Sequence, residues 1–434
     1  MIKLIFKNIW ANRRRYLPVM VELILIAAVA WMVLEPVIVN KYLLDRHPGY
    51  DRDRLVRIEI GRQYTDDEYT PEERYDDLMR VLARLRSMPE VESATIATHK
   101  CFESQSISAN SIPNDTTDGG YFEIDFVEGT DFFKTFGIRV SGGPDDGKVF
   151  EEPPLNKNDR ILTIGLARVL HPGINPAGHY INEHSDFFTH GKEEIIVSVV
   201  EDAVYRSDFS RSAIMYMPMS HKNLGKNLRN SNFASLIARM KPGVSPDDFV
   251  RDNYETINRD LRAGRTYAHS PMTFSEYHSI QSISLSKNVF LFSALALFLI
   301  VNLFLCVTGT FYLQTRSRSR DAGIMRAFGA SRASICRNMI AEGWVMTVVA
   351  WLIGCTGVYF WVKKEGMTTG NDLLGQPSQV LIDAIPSWID NFNEHFGIVS
   401  VIVLALLLIA VTIGIWLPAR HISRVSPVDA LREE

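Results

Sequence analysis

Residues 289–313 run for 25 positions without a single charged side chain. At 1.5 Å rise per residue a helix of that length crosses the roughly 30 Å hydrocarbon core of a bilayer. The chain is therefore read as a membrane protein, although its averages look ordinary: 434 residues, 46% hydrophobic, 22% charged, formal net charge −4 and a pI near 6.3. The averages conceal a segregation of apolar stretches from strongly polar sequence, and the slight acidity excludes a general nucleic-acid footprint. Of four cysteines, Cys306, Cys336 and Cys355 lie in or beside apolar stretches and Cys101 stands alone, so neither a disulfide framework nor a thiolate metal cluster can be assembled.

Four stretches pass the length test for a span: residues 17–39, 289–313, 343–362 and 397–417. The first carries Glu22 and Glu35, and Ala28-Val29-Ala30 before Trp31 resembles a signal-peptidase site behind the basic residues Lys3, Lys7 and Arg13-Arg14-Arg15. The alternatives are a cleaved signal and an uncleaved anchor; because the apolar run continues beyond the would-be cut, it is kept as a span. Five Lys and Arg precede the first span, six arginines (Arg316, Arg318, Arg320, Arg326, Arg332 and Arg337) separate the second and third, and Arg420, Arg424 and Arg432 follow the fourth. The positive-inside rule puts these segments in the cytoplasm and both termini with them. The expected plan is a cytoplasmic amphipathic helix or basic flank at 1–16, spans at 17–40, 288–314, 343–362 and 397–418, an extracytoplasmic domain at 41–287, a cytoplasmic segment at 315–342, an extracytoplasmic loop at 363–396 and a cytoplasmic tail at 419–434. Glu22 and Glu35 lie close enough to the two headgroup layers to snorkel; pairing of Glu22 with a polar group on a neighbouring helix is the other reading, since Pro18 and Pro36 mark this span as irregular.

The large domain opens with an alternating run, Leu55-Val56-Arg57-Ile58-Glu59-Ile60, which predicts a strand. A helix follows, with Thr70 as N-cap, Pro71 in the first position and Glu72 and Glu73 in the first turn. Its predicted apolar face is Tyr75, Leu78, Met79, Leu82 and Leu85, and residues 91–97 return as a strand. The pattern recurs later: a strand over 233–240, a helix started by Ser245-Pro246-Asp247-Asp248, and Val250, Tyr254, Ile257 and Leu261 as the buried stripe. Two β-α-β units are thus expected to share one sheet, with a β-rich subdomain inserted at about 100–230, whose strands include 195–200 and 213–217.

Tests for chemistry exclude more than they admit. Gly142-Gly143-Pro144-Asp145-Asp146-Gly147-Lys148-Val149 has the glycine and lysine spacing of a phosphate loop, but Val149 cannot supply the hydroxyl to Mg²⁺, and the following Phe150-Glu151-Glu152-Pro153-Pro154 cannot open a helix. Eleven histidines show no i, i+4 pairing on one helical face, and no G-x-S-x-G elbow is present. The chain is expected to be non-catalytic, with no cofactor or metal of its own.

The cytoplasmic segment is more specific. Arg320-Asp321-Ala322-Gly323-Ile324-Met325-Arg326-Ala327-Phe328-Gly329-Ala330-Ser331 resembles the R-E-I-G-I-x-R-A-L-G-A-S signature of MacB/FtsX-type ABC transporter permeases, with Asp321 for the usual Glu and Ala322 for the usual Ile. Thr130 to Ile138 is similar to that family's D-Y-F-x-x-F-G-I stretch, Val199 to Ser207 to its G-V-V-x-D-V-x-Y-x-S strand and turn, and the tail, with Pro427, Ala430, Leu431 and Arg432, to its P-x-x-A-L-R-x-E ending. The resemblance implies an α-helical membrane protein with four transmembrane helices plus a large α+β extracytoplasmic domain of porter-like β-α-β units and an inserted sabre-like subdomain. It also implies a bacterial inner-membrane location, a second permease copy or paralogue, and a cytoplasmic ATPase supplied in trans, since sixteen residues precede the first span; ATP and Mg would sit on that partner. A periplasmic adaptor or effector fits the same scheme. The alternatives are an FtsX-like activator of a cell-wall hydrolase, a lipoprotein-releasing permease and a membrane sensor without an ATPase.

Elementary geometry points the same way. Residues 274–326 read as one helix, about 78 Å long if unbroken, which would convey tilt through the membrane. Gly329 is expected to end it in the left-handed conformation and Ser331 to cap the next helix, leaving Met325 and Phe328 as an apolar knob with an arginine rim for a nucleotide-binding partner. A loop that is basic only to satisfy topology explains the arginines but not the Gly-Ala-Ser turn.

Overall fold

Thr70 accepts the backbone N–H of Glu73 while the Glu73 carboxylate takes the backbone N–H of Thr70 at 2.9 Å, a complete capping box with Pro71 in the first helical position. Side-chain caps also start the helices at Pro246, Phe274 and Arg332 in the computed structural model, which describes residues 13–63, 68–112, 119–181, 194–209, 212–229, 233–316, 328–368 and 383–422. In chain order the elements are α1 (Arg13–Asp45), β1 (Leu55–Arg62), α2 (Pro71–Arg86), β2 (Val91–Thr98), β3 (Ala109–Ile112), β4 (Gly119–Val127), α3 (Phe132–Phe136), β5 (Asp159–Thr163), α4 (Ile164–Leu170), β6 (Ile195–Val200), β7 (Ile214–Met219), α5 (His221–Asn227), β8 (Ala234–Met240), α6 (Pro246–Asp260), β9 (Arg262–Ala263), β10 (Thr266–Thr273), α7 (Phe274–Gln281), α8 (Ile283–Arg316), α9 (Arg332–Glu365) and α10 (Phe392–Ile422). They divide into two units: Met1–Tyr42, Lys287–Thr369 and Trp388–Glu434 in one, Leu43–Ser286 and Gly370–Ser387 in the other.

The second unit is built on one mixed sheet of order β6-β5-β7-β4-β2-β8-β1-β10-β9, with β3 on β4. Its middle is a split β-α-β arrangement: β1-α2-β2 and β8-α6-β10 interleave as β2-β8-β1-β10, every neighbour antiparallel. The alternation of β1 turns Val56, Ile58 and Ile60 onto one face, where they bury against Leu78, Val81, Leu82 and Leu85 of α2. Helix α6 corrects the expected stripe. Phe249, Ile257 and Leu261 are buried and Val250 packs against the same core, whereas Tyr254 is 50% exposed.

The 100–230 segment does not form a sheet of its own. Strands β3 to β7 extend the same sheet, joined through the Ala97↔Phe126 pair of β2 and β4. What separates them is their core: Phe102, Phe126, Phe132, Phe133, Phe136 and Tyr216 bury in one aromatic cluster on this side, with ring centroids of Phe132 and Phe136 4.8 Å apart. Two left-handed residues, Asp131 and Gly137, bracket the short α3 that supplies three of those rings. A Cβ on Gly137 would lie 2.6 Å from Arg239 Nη1 and 2.7 Å from Asp51 Oδ2, so the Arg239–Asp51 ion pair requires glycine there.

In the first unit α1, α8, α9 and α10 are long and apolar enough to cross a membrane. Each helix outruns its expected span, and α1 continues through both Pro18 and Pro36. Val399, Val403, Leu407, Val411 and Ile415 recur every four residues along α10 and bury against Met346, Ala350 and Val358 of α9 and Leu23, Ala27 and Trp31 of α1. Gly354 lets α9 approach α1: a Cβ there would be 2.9 Å from the Ile24 carbonyl oxygen.

The single helix expected over 274–326 is interrupted. Helix α7 ends at Gln281 and α8 begins at Ile283. Ser282 sits between them with its Oγ donating to the His278 carbonyl at 2.8 Å. The part of α8 and α7 that is helical is thus two rods, the longer of 34 residues, or about 51 Å. Residues 317–327 lie outside the described residues.

Candidate coupling turn and buried carboxylates

Four of the eleven residues singled out in the cytoplasmic segment are described: Phe328, Gly329, Ala330 and Ser331. Gly329 has φ +88°, a conformation open to glycine and costly to a side chain. Ser331 is the N-cap of α9, its Oγ accepting the Ser334 N–H at 3.2 Å. Phe328 is 88% exposed, while Ala330 packs on the buried cluster of the helical unit. The turn therefore starts a 34-residue helix and holds out an aromatic ring that none of the described residues covers. Arg320, Asp321, Gly323, Ile324, Met325, Arg326 and Ala327 lie outside the described residues, as do the tail residues Pro427, Ala430, Leu431 and Arg432 and the amphipathic stretch before residue 13.

The carboxylates of the first helix both have polar partners. Glu35 is 4% exposed; its Oε1 accepts the backbone N–H of Thr368 and its Oε2 the Thr368 hydroxyl, both at 2.7 Å, and His395 Nε2 lies 3.3 Å away. Burial is tolerable because both oxygens are bonded. Glu22 accepts from the Cys306 thiol of α8, which is the pairing with a neighbouring helix that the sequence left open. Thr368, His395 and Cys306 escaped the reading from sequence. They stand hundreds of positions from their partners, and no local pattern marks them.

Within the sheet unit a second carboxylate is buried, and it too was missed. Glu103 accepts from or pairs with His278 Nδ1 at 2.8 Å, and it holds a left-handed φ of 60°. The segment with phosphate-loop spacing is a hairpin turn: Val140 and Lys148 are joined by a backbone bond of 2.8 Å, and Lys148 Nζ is paired with Asp145 at 2.8 Å. That turn borders an open cavity of about 600 Å³ with Asn175, Ala177 and Ser198 on its far wall. Among the described residues no group of three or more His, Cys, Asp or Glu side chains is placed to hold a metal ion. Burial pushes the Cys101 thiol up to about 12 and raises the Asp202 carboxyl, against the stabilising bond from the Gly165 N–H at 2.8 Å.

Residues 290–427 match the family of the FtsX-like permease C-terminal domain. The macrolide export ATP-binding/permease protein MacB of Escherichia coli strain K12 is 23% identical over 392 residues, 87% of this chain and 52% of that protein. Over these stretches the chain is similar to permeases of the MacB/FtsX type. A MacB of Aeromonas hydrophila is 22% identical to the permease over 312 residues, 70% of this chain and 42% of that protein, so the chain spans about half the length of the curated relatives it matches. Among solved structures, the periplasmic region of MacB from Actinobacillus actinomycetemcomitans covers 56% of the permease and 97% of itself at 13% identity and a TM-score of 0.31. A domain of a putative permease protein from Porphyromonas gingivalis covers 53% and 98% at 18% identity and a TM-score of 0.29.

Proposed function

We propose that this chain is the non-catalytic transmembrane subunit of an ABC transporter, conveying conformational change from a separate cytoplasmic ATPase to its extracytoplasmic unit in the export or extraction of a substrate. Two permease chains, identical or paralogous, pair in this scheme, both termini of each face the cytoplasm of a bacterial inner membrane, and ATP and Mg are bound by the partner. The observation that carries the reading is the exposed Phe328 ring held beside the left-handed Gly329, directly ahead of the capped α9. An apolar ring on a turn that rigidly starts a membrane helix suits a pocket on a motor subunit: a push on the ring is passed to the helix axis.

The test uses the full chain co-expressed with its ATPase and reconstituted in lipid nanodiscs. Phe328→Asp puts an unpaired charge into an apolar contact at a cost of about 2 kcal/mol or more, which weakens association roughly thirtyfold. Arg337→Ala, an exposed change one helical turn and a half into α9, is the control. Loss of ATPase retention in Phe328→Asp alone supports the reading; equal retention by wild type and both variants places the partner elsewhere.

A further inference from the structure

Glu103 lies in the loop between β2 and β3, 1% exposed, and its backbone holds a left-handed φ of 60°, which is costly for a residue with a Cβ. That conformation carries the carboxylate to α7, where His278 is buried and hydrogen-bonded through Nδ1 to Glu103 Oε1 at 2.8 Å. The other contacts of the carboxylate are longer: Ser207 donates its N–H and its hydroxyl to Oε2, each at 3.5 Å, the outer limit of a hydrogen bond. Apolar side chains of similar volume can fill such a place at no greater cost to stability; what they lack is direction. Direction is what α7 needs. Phe274 and Tyr277 bury their rings in the aromatic cluster, but Ile280 is exposed, and the remaining grip on this eight-residue helix is polar. Ser275 Oγ donates to Asp53 at 3.3 Å, the Arg57 guanidinium lies 4.1 Å over the Tyr277 ring, and the Gln105 amide donates to Gln281. Glu103 and Gln105 belong to one loop, so that loop holds α7 at two points one helical turn apart.

We propose that Glu103 and His278 form a latch that fixes α7 on the sheet in one position, so that the two move as one body. The strained backbone at Glu103 is the cost of aiming the carboxylate at the helix, and the closeness of the bond sets where along the loop α7 can sit. Helix α8 follows α7 after Ser282. A displacement of α8 is therefore delivered to the sheet instead of being absorbed by α7 sliding over it. This consequence rests on the coupling role proposed above, whereas the latch itself does not.

The experiment uses the full chain in lipid nanodiscs without any ATPase, so its outcome does not depend on whether Phe328 docks a motor. Spin labels on non-canonical residues in place of Ile280 on α7 and Tyr254 on α6, both exposed, report by pulsed electron resonance how α7 sits on the sheet unit. Thermal unfolding is followed in parallel. Glu103→Leu and His278→Leu each leave one polar partner buried alone and should lower the unfolding midpoint, while the double variant leaves neither and should recover much of that loss. The label distance should be a single narrow distribution in wild type and a broad one in the double variant, a folded protein whose α7 has lost its fixed seat. A narrow, unshifted distribution in the double variant overturns the latch. Midpoint losses that simply add would overturn it as well, since residues whose effects add do not act as a pair.

Discussion

Asp202 shows how a single side chain can work for and against the fold. It accepts the Gly165 N–H at the start of α4, yet burial raises its carboxyl above the ordinary range. A carboxyl whose proton is held more tightly when folded contributes stability that grows as pH falls toward its folded range and is lost as it ionises above it. Asp202→Asn keeps an oxygen for Gly165 and removes the ionisation. Denaturation of the permease in detergent between about pH 4 and pH 7 should therefore show a flatter pH dependence in the variant; an unchanged profile would mean that Asp202 is not the group that responds. Cys101 offers a second check. Its thiol is buried and pushed up to about 12, and only a thiolate attacks a maleimide at useful rates. The peptide carrying Cys101 should stay unlabelled in the native permease and label in denaturant; equal labelling in both states would place Cys101 at the surface.

At the scale of elements, small residues decide how close helices come. A side chain at Gly354 would push against the α1 backbone at Ile24, which cannot retreat as a flexible side chain can. Gly357, one turn on, has nothing within 4 Å of a Cβ. Gly354→Val should destabilise the helical unit by about 1–3 kcal/mol, whereas Gly357→Val should stay within about 0.5 kcal/mol. Thermal unfolding in the same detergent compares the two; equal midpoints would remove close packing of α9 on α1 from the account. The α7–α8 junction belongs to this scale as well. Ser282 separates α7 from α8, so the helix expected to start at Phe274 is broken after Gln281.

For the molecule as a whole, the question is where the energy enters. Lys148, the lysine with phosphate-loop spacing, is paired with Asp145 in an exposed hairpin turn, and no helix N-terminus follows it to receive a phosphate. The purified permease alone should neither bind nor hydrolyse ATP, and Lys148→Ala should change nothing once the partner ATPase is added. Hydrolysis that co-purifies with this polypeptide alone, and survives Lys148→Ala, would reveal a nucleotide site elsewhere in the chain.

What could be read from the sequence is what depends on neighbours in the chain. Apolar run length placed four membrane helices; Thr70, Ser245 and Ser331 announced helix starts, because an N-cap bonds an N–H only two or three residues away; period-two alternation marked β1. The Gly329 turn was legible for the same reason. Tertiary structure alone decided the rest. It joined the inserted strands to the main sheet, chose Phe249 over Tyr254 for the interior, and interrupted the expected helix at Ser282, a serine that carries no breaking signal. It also brought Glu35 to Thr368 across 333 positions. A buried carboxylate must find donors wherever the packed chain provides them, and which segment arrives there is settled by the packing of helices, which leaves no periodicity in the sequence around either partner.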